Sequence, residues 1–206
     1  MPSSITAVIL AGGNATRMDG ANKALVSLHN TPLITHVIQK ISPQVNEVLI
    51  NVNRDNVHFA AFNYSIITDR LTDNGTLIGP LAGIHAGFCE AKHDFVLFVP
   101  CDMPNLPSNL VQRLLAQLQT HQAEIAVVKS GNDVIPVVCI CKKTVLPSLI
   151  SYLQQGGRKV STWQKSCEYI EVDFTYRITD DVQGKINNPK CDFANLNSFQ
   201  DILDYQ

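Results

Sequence analysis

A glycine loop followed by two cations is the first feature of this sequence that could do chemistry. Gly12 and Gly13 follow a short apolar run, and Arg17 and Lys23 come a few residues later. Adjacent glycines let a backbone approach a ligand closely, and exposed N–H groups in such a loop can hold phosphates. Arg17 offers a bidentate fork and Lys23 a point charge, a pair suited to a polyphosphate. A surface loop with two solvated cations is the alternative that spacing alone leaves open.

Asp102 is a candidate metal ligand because it comes just after an unbroken apolar run at residues 95–99. Magnesium in proteins is typically held by one or two carboxylates, several waters and the phosphates of a substrate. A turn-forming aspartate is the alternative. The glycine loop, Arg17, Lys23 and Asp102 together indicate a nucleoside triphosphate bound with magnesium.

No pattern typical of a covalent nucleophile accompanies these residues. The six histidines lie singly along the chain, and no G-x-S-x-G motif occurs. Cys101 has no identifiable base, so a small buried residue is the favoured interpretation.

Four short apolar segments end just before the polar residues, with helical patterns between some of them. The segments are 5–10, 47–52, 64–68 and 95–99. Thr31 and Pro32 predict a helix start with Thr31 as the N-cap, and residues 79–88 predict a loop that enters a helix. The order β-α-β-β-α-β predicts an α/β fold with a mostly parallel sheet.

The ends of these four predicted strands carry the polar residues. In open parallel sheets, ligands bind outside the carboxyl ends of the strands. If the four strands are neighbours, a glycine loop, an amide and two carboxylates converge on one edge of the sheet. In chain order the strand ends are Gly12-Gly13, Asn51-Val52-Asn53, Asp69 and Asp102.

The second half of the chain has a less regular pattern, and nothing in it resembles a linker or a repeat. We therefore expect one domain over residues 1–206, with nucleotide binding in about 1–105 and a second substrate in about 106–206. The predicted elements are a helix capped by Ser108, a hairpin of strands 125–128 and 134–141, a helix at 145–155 stopped by Gly156-Gly157, a strand at 168–173, and a C-terminal helix starting at Ser198.

Composition excludes several classes of protein. A chain of 206 residues with 45% hydrophobic residues is typical of one globular domain. Sixteen Lys+Arg against eighteen Asp+Glu give a net charge of −2, which argues against nucleic-acid or membrane-surface binding. No apolar run reaches the roughly 18 residues of a membrane span, and the N-terminus lacks a secretory pattern. Six dispersed cysteines favour reduced thiols, so we expect a cytoplasmic protein.

The motifs together resemble a known family. The opening loop, L-A-G-G with Arg17 and Lys23, is similar to that of the sugar-nucleotidyltransferase-like superfamily, and the full set is most similar to the molybdenum cofactor guanylyltransferases, MobA. The further matching segments are N-V-N-R at 51–54, Asp69, G-P-L-A-G at 79–83, P-C-D-M-P at 100–104, Ile135-Pro136, L-Q-Q-G-G-R-K-V at 153–160 and N-L-N-S at 195–198.

The resemblance implies a three-layer α/β/α fold with a Rossmann-like central sheet, of the nucleotide-diphospho-sugar transferase type. It implies transfer of GMP from GTP to the terminal phosphate of molybdopterin, with Mg²⁺ required. Arg17, Lys23 and Asp102 are then the catalytic residues, with Asp102 as the magnesium ligand. The implied GTP-binding residues are Leu10, Ala11, Gly12, Gly13, Lys23, Asn51, Asp69 and Asp102.

The same resemblance assigns Arg158, Lys159, Asn195 and Asn197 to molybdopterin. Lys165 and Lys185 are further cations of the second half, and a solvated basic face is the alternative for the lysines and Arg158. The implied partners are GTP, molybdopterin, other proteins of molybdenum cofactor biosynthesis, and apo-molybdoenzymes or their chaperones. Two other functions stay open, namely a cytidylyltransferase acting on molybdopterin or another phosphorylated acceptor, and a non-catalytic carrier of the cofactor.

Overall fold

A computed structural model of the chain describes residues 3–13, 22–70, 72–73, 76–77, 79–175, 192–196 and 201. Its strands are β1 Ile5–Leu10, β2 Ser27–Leu28, β3 Thr31–Pro32, β4 Glu47–Asn51, β5 Ser65–Ile67, β6 Thr72–Asp73, β7 Thr76–Leu77, β8 Phe95–Pro100, β9 Ile125–Ser130, β10 Asp133–Lys142 and β11 Tyr169–Asp173. Its α-helices are α1 Leu33–Ile41, α2 Asn56–Ala60, α3 Pro80–Glu90, α4 Leu110–Thr120, α5 Leu146–Gln154 and α6 Val160–Gln164, and short 3₁₀ turns cover Lys23–Leu25, Ser42–Gln44 and Lys143–Val145.

Seven strands form one central sheet in the order β11-β9-β10-β8-β1-β4-β5. The neighbours β8, β1, β4 and β5 are parallel, and β11 is parallel to β9. Only β10 runs against its neighbours β8 and β9. The prediction of an α/β fold with a mostly parallel sheet is therefore confirmed. Four of the seven strands come from residues before 105 and three from residues after it.

Helices cover both faces of the sheet, which explains why its central strands are apolar on both sides. Successive residues of a strand point to opposite faces. Ala7 and Ile9 of β1 accordingly belong to one core with side chains of α1 and α4. Val8 belongs to a second core with side chains of α3, α5 and α6. The layers are α/β/α, and no helix in the described part of the chain is long and apolar enough to cross a membrane.

Two predicted helix starts are wrong, and two short helices were not predicted. Thr31 is not an N-cap, because Thr31 and Pro32 pair with β2 in a small hairpin and α1 begins at Leu33. Ser108 is not a cap either, since Asn109 occupies that position without a side-chain hydrogen bond. Helices α2 and α6 were not predicted. Because α2 lies between β4 and β5, the first half runs β-α-β-α-β-α-β across the main sheet. Each missed helix has five residues, too few for a helical period to be visible.

The other strands and helices lie close to their predicted ranges. The hairpin of β9 and β10 turns at Gly131, which has φ +61°. Helix α5 is followed by Gly156 at φ +82°, a left-handed conformation that favours glycine at a helix end. The predicted helix start at Ser198 lies outside the described residues.

Candidate active site

The carboxyl ends of β1, β4, β5 and β8 meet at one edge of the sheet. Leu10 lies opposite Asn51 on one side and Pro100 on the other, and Asn51 lies opposite Ile67. Backbone hydrogen bonds continue past the strand ends, from Ala11 N to Asn51 O at 2.8 Å and from Cys101 N to Leu10 O at 3.1 Å. The predicted convergence of the four strand ends is therefore confirmed.

Two asparagines hold the carboxylate of Asp69 at this edge. Asn51 Nδ2 donates to Asp69 Oδ1 at 2.8 Å, and Asn53 Nδ2 donates to Asp69 Oδ2 at 2.8 Å. Asn53 Oδ1 accepts from the backbone N–H of Asp69 at 3.0 Å. Asn51 is buried, whereas Asn53 and Asp69 are partly exposed. This arrangement fixes a carboxylate beside the glycine loop.

The glycine loop is attached to the same network. Asn53 Nδ2 also donates to the carbonyl oxygen of Gly12 at 3.1 Å. A Cβ on Gly12 would lie 2.6 Å from Asn53 Nδ2 and 3.1 Å from Asn51 Oδ1, so close packing accounts for glycine there. A Cβ on Gly13 would meet no described atom within 4 Å, and Gly13 is exposed. Contacts with the described residues therefore require glycine at position 12, and the exposed backbone of Gly13 is available to a ligand.

The G-P-L-A-G segment packs the start of α3 against this edge. Gly79 has φ +77°, and Pro80 opens the helix, where its missing N–H costs nothing. Gly83 lies so close to Asn51 that a Cβ would overlap Asn51 Oδ1 and would lie 2.9 Å from Leu10 Cδ2. The position of Asn51 therefore leaves no room for a side chain at residue 83, which explains the second glycine of the segment.

Lys23 and Asp102 form an ion pair just beyond the end of β8. Lys23 begins a 3₁₀ turn whose cap is Asn22, with Asn22 Oδ1 accepting from Ala24 N at 3.2 Å. Lys23 Nζ lies 2.5 Å from Asp102 Oδ2 and 3.2 Å from Asn195 Oδ1. Only 19% of the lysine side chain and 13% of the aspartate side chain are exposed. Shielding from water strengthens this attraction relative to a surface pair.

The other oxygen of Asp102 fits a divalent cation. Asp102 Oδ1 is buried and has no hydrogen-bond partner among the described residues. Buried carboxylate oxygens are normally satisfied, so an unpartnered one is an available hard ligand. Magnesium keeps several waters and takes the rest of its shell from phosphates, so one protein carboxylate suffices.

Cys101, next to Asp102, is not a nucleophile. The thiol is buried, and burial together with the neighbouring Asp102 raises the pKa of Cys101 far above its ordinary value. A neutral thiol inside the core is unreactive. The interpretation of Cys101 as a small buried residue is confirmed.

Asn195 belongs to the same edge rather than to a remote pocket. It contacts Lys23 as described, and the next residue, Leu196, donates its N–H to Asp102 O at 3.1 Å. The segment 192–196 is thereby attached to the strand end of β8. We call Gly12, Lys23, Asn51, Asn53, Asp69, Asp102 and Asn195 the strand-end cluster.

The predicted basic segment lies elsewhere, in the turn 156–159 that follows α5, which we call the basic turn. Arg158 Nη1 donates to Gly157 O at 2.9 Å and to Leu153 O at 3.4 Å, and the second of these bonds reaches a carbonyl at the end of α5. The Tyr152 hydroxyl accepts from Lys159 N at 3.3 Å and donates to Lys159 O at 3.2 Å. Strand β10 runs against β8 and therefore ends at the edge of the sheet opposite the strand-end cluster, and α5 follows it after a short 3₁₀ turn.

The structure thus brings together most of the predicted nucleotide-binding residues. Arg17, Asn197 and Lys185 lie outside the described residues. Asn53 and Gly83 are absent from the predicted set, yet both contact it. Asn53 had a signal, since residues i and i+2 of an extended segment point to the same side and Asn51 was already a candidate. The residues placed at this edge are Leu10, Ala11, Gly12, Gly13, Lys23, Asn51, Asp69, Asp102 and Asn195.

Comparison with known proteins agrees with this architecture. Residues 7–167 match the family described as MobA-like NTP transferase domain. Molybdenum cofactor guanylyltransferase of Shewanella putrefaciens is 42% identical over 174 residues, 84% of this chain and 88% of that protein. The protein of the same name from Shewanella piezotolerans is 44% identical over 175 residues, 85% of this chain and 84% of its own.

A solved structure with the same fold is that of molybdopterin-guanine dinucleotide biosynthesis protein A from Archaeoglobus fulgidus. It superposes with a TM-score of 0.75 at 20% identity, over 97% of this chain and 95% of that chain. At that identity the likeness concerns the fold. The family match and the two sequence relatives each span most of this chain, which belongs to the MobA-like NTP transferase family.

Proposed function

We propose that this protein transfers GMP from GTP to the terminal phosphate of molybdopterin, giving molybdopterin guanine dinucleotide and pyrophosphate. The observation that carries the proposal is the Lys23–Asp102 pair beside the glycine loop, in which Asp102 Oδ1 has no hydrogen-bond partner within the described part of the chain. A cation and a free carboxylate oxygen at one strand end are what a magnesium-bound triphosphate requires. The names of the sequence relatives support the choice of substrates.

The chemistry does not require a general base. The attacking group is a phosphate oxygen that is already ionised at neutral pH. Catalysis then depends on positioning two anions that repel each other and on neutralising charge at the α-phosphorus and the leaving pyrophosphate. The neutral Cys101 and the absence of a candidate base in the sequence are consistent with such a reaction.

Each residue of the cluster has a proposed part. Lys23 moves between Asp102 and the triphosphate, and Arg17 provides a second cation to the phosphates. Asp102 would hold magnesium, which when bound would neutralise phosphate charge. Backbone groups of the loop contact the nucleoside, which Asn51 and Asp69 help to hold. The loop residues are Leu10, Ala11, Gly12 and Gly13.

The second substrate is proposed to lie against residues of the second half. Arg158, Lys159 and Asn197 provide polar and cationic groups for the phosphate and pterin. Asn195, which contacts Lys23, stands at the junction of the two substrates. Residues 1–105 then bind GTP and residues 106–206 molybdopterin, within one domain. We also propose a cytoplasmic location and contacts with other proteins of cofactor synthesis or with the apo-molybdoenzymes that receive the product.

The test is pyrophosphate release from GTP with Mg²⁺, measured with and without molybdopterin, with CTP and ATP in parallel. Release that needs both GTP and the pterin is the expected result. Release with CTP instead identifies a cytidylyltransferase on the same site. Nucleotide binding without any release identifies a carrier. Omitting Mg²⁺ from the complete reaction tests the metal requirement, and we expect release to stop.

A further inference from the structure

We propose that Asn53 is a positioning residue that fixes the spacing between the glycine loop and Asp69 and thereby sets the affinity for GTP. The inference rests on the proposed function and deepens it. It assigns a role to a residue that contacts two parts of the nucleotide subsite at once.

The evidence is a set of three hydrogen bonds from one short side chain. Nδ2 of Asn53 donates to Gly12 O at 3.1 Å and to Asp69 Oδ2 at 2.8 Å, and Oδ1 accepts from Asp69 N at 3.0 Å. The two acceptors and the one donor around Asn53 determine which way its amide faces. Aspartate, which has no donor when ionised, cannot make the same contacts.

Among the described residues, Asn53 is the side chain whose hydrogen bonds join the loop to Asp69. The other asparagine, Asn51, donates to Asp69 Oδ1, and its side chain has no hydrogen bond to residues 10–13, the described part of the loop. Asn51 is buried and packed between Gly12 and Gly83, whereas Asn53 is partly exposed. Asn51 therefore packs the edge in addition to its proposed contact with the nucleoside, whereas Asn53 ties together two groups that face the ligand.

Removing this side chain releases Gly12 O and Asp69 N from their partner while leaving the β1–β4 ladder intact. Misplacement of substrate-holding groups by about 1 Å can cost as much as ~10²-fold in rate. Here the misplaced groups hold the nucleoside and not the reacting phosphates. We expect Asn53→Ala to raise the Kd and KM for GTP about tenfold and to change kcat less than about threefold, the pattern of lost uniform binding.

Asn53→Asp separates positioning from packing. Aspartate has nearly the shape of asparagine, so a role in filling space predicts a milder effect than that of alanine. A role in hydrogen bonding predicts the reverse, because a carboxylate would face Gly12 O and Asp69 Oδ2, both of which repel it. We expect the Kd for GTP to rise more in Asn53→Asp than in Asn53→Ala.

Asn46 provides the matched control at the opposite end of the same strands. Its Oδ1 accepts from Ile5 N at 2.9 Å, and its N–H donates to Ile5 O at 3.0 Å. Asn46→Ala therefore removes an asparagine contact at the start of β1, away from the strand-end cluster. We expect it to lower stability without changing the Kd for GTP.

The experiment measures GTP binding to the full chain by calorimetry, with Mg²⁺, together with steady-state pyrophosphate release and urea unfolding. An unchanged Kd in folded Asn53→Ala, or an equal loss in Asn46→Ala, overturns the inference. A Kd less affected in Asn53→Asp than in Asn53→Ala also overturns it. Asn53→Ser takes the place of the alanine variant if that one does not fold. Failure of the wild type to bind GTP overturns the proposed function itself, so the two failures are distinguishable.

Discussion

The strand-end cluster and the basic turn are held by different kinds of contact. Asn53 reaches Gly12 across 41 residues of sequence, and Lys23 reaches Asp102 across 79. In the basic turn, Tyr152 reaches Lys159 across seven residues and Arg158 reaches Leu153 across five. Among the described residues, the hydrogen bonds of the cluster join separate strand ends of the sheet, whereas these bonds of the turn connect it to the end of α5.

The strand-end cluster and the basic turn also differ in solvent exposure. Asn51 is buried, and Lys23 and Asp102 are largely covered, whereas both cations of the basic turn are exposed. Charges that are shielded from water and held in a fixed geometry interact strongly and lose little side-chain freedom when a ligand binds. Exposed charges are screened by salt and lose more side-chain freedom on binding. We therefore expect large, specific effects in the cluster and smaller effects, dependent on salt, in the turn.

The largest expected effect follows loss of the Asp102 carboxylate. Asp102→Ala removes the buried Oδ1 and the partner of Lys23 together. Removing one such charge-stabilising group commonly costs on the order of 10²- to 10³-fold in turnover. We expect pyrophosphate release to fall by at least that amount and GTP affinity to become insensitive to Mg²⁺. Asp102→Asn, which keeps the shape, should show the same loss of Mg²⁺ response, and turnover near the wild-type value in either variant would contradict the assignment.

The next largest effect is expected at one of two glycines of α3, of which Gly83 packs against the site and Gly87 packs against the core. Gly83→Ala would press a methyl group onto Asn51 Oδ1, and Gly87→Ala, one turn later, would bring one to 2.8 Å from Phe98 Cε1 and Val8 Cγ2. Overpacking of this kind typically costs about 1–3 kcal/mol of stability. We expect both variants to unfold at lower urea concentration, with a KM for GTP about tenfold higher in Gly83→Ala only. Equal KM values in the two variants would mean that Asn51 does not transmit the change.

A smaller effect is expected from charge reversal in the basic turn. Lys159→Glu should weaken binding of molybdopterin by several-fold, up to roughly tenfold, and leave GTP affinity unchanged, because an exposed charge acts through a screened field. Raising the salt concentration should narrow the difference from the wild type. Lys40→Glu is the control, because Lys40 is an exposed lysine of α1, on the other face of the sheet, and the change of charge is the same. A similar loss in both variants would indicate only a general effect of net charge.

The same contrast explains what could be predicted from the sequence. The strand ends were predictable because apolar segments of strand length precede each polar residue, and parallel order brings such ends together. The hydrogen bonds of Asn53 and the place of Asn195 were not, because each joins residues whose distance depends on the full register of the sheet. The prediction of Thr31 as an N-cap was wrong for a related reason. Local preference assigns Thr31 to a helix start, but in the fold it pairs with β2.

The smallest effect tests whether the basic turn is held locally. Tyr152→Phe removes both hydrogen bonds of the hydroxyl to the backbone of Lys159 and leaves the ring against Gly157. Two partly exposed hydrogen bonds contribute about 1 kcal/mol each at most. We expect the KM for molybdopterin to rise about threefold with the KM for GTP unchanged, and the urea midpoint to shift only slightly. A change in the KM for GTP would show that the turn is coupled to the strand-end cluster, and the division into a sheet-held nucleotide subsite and a helix-held second subsite would then be wrong.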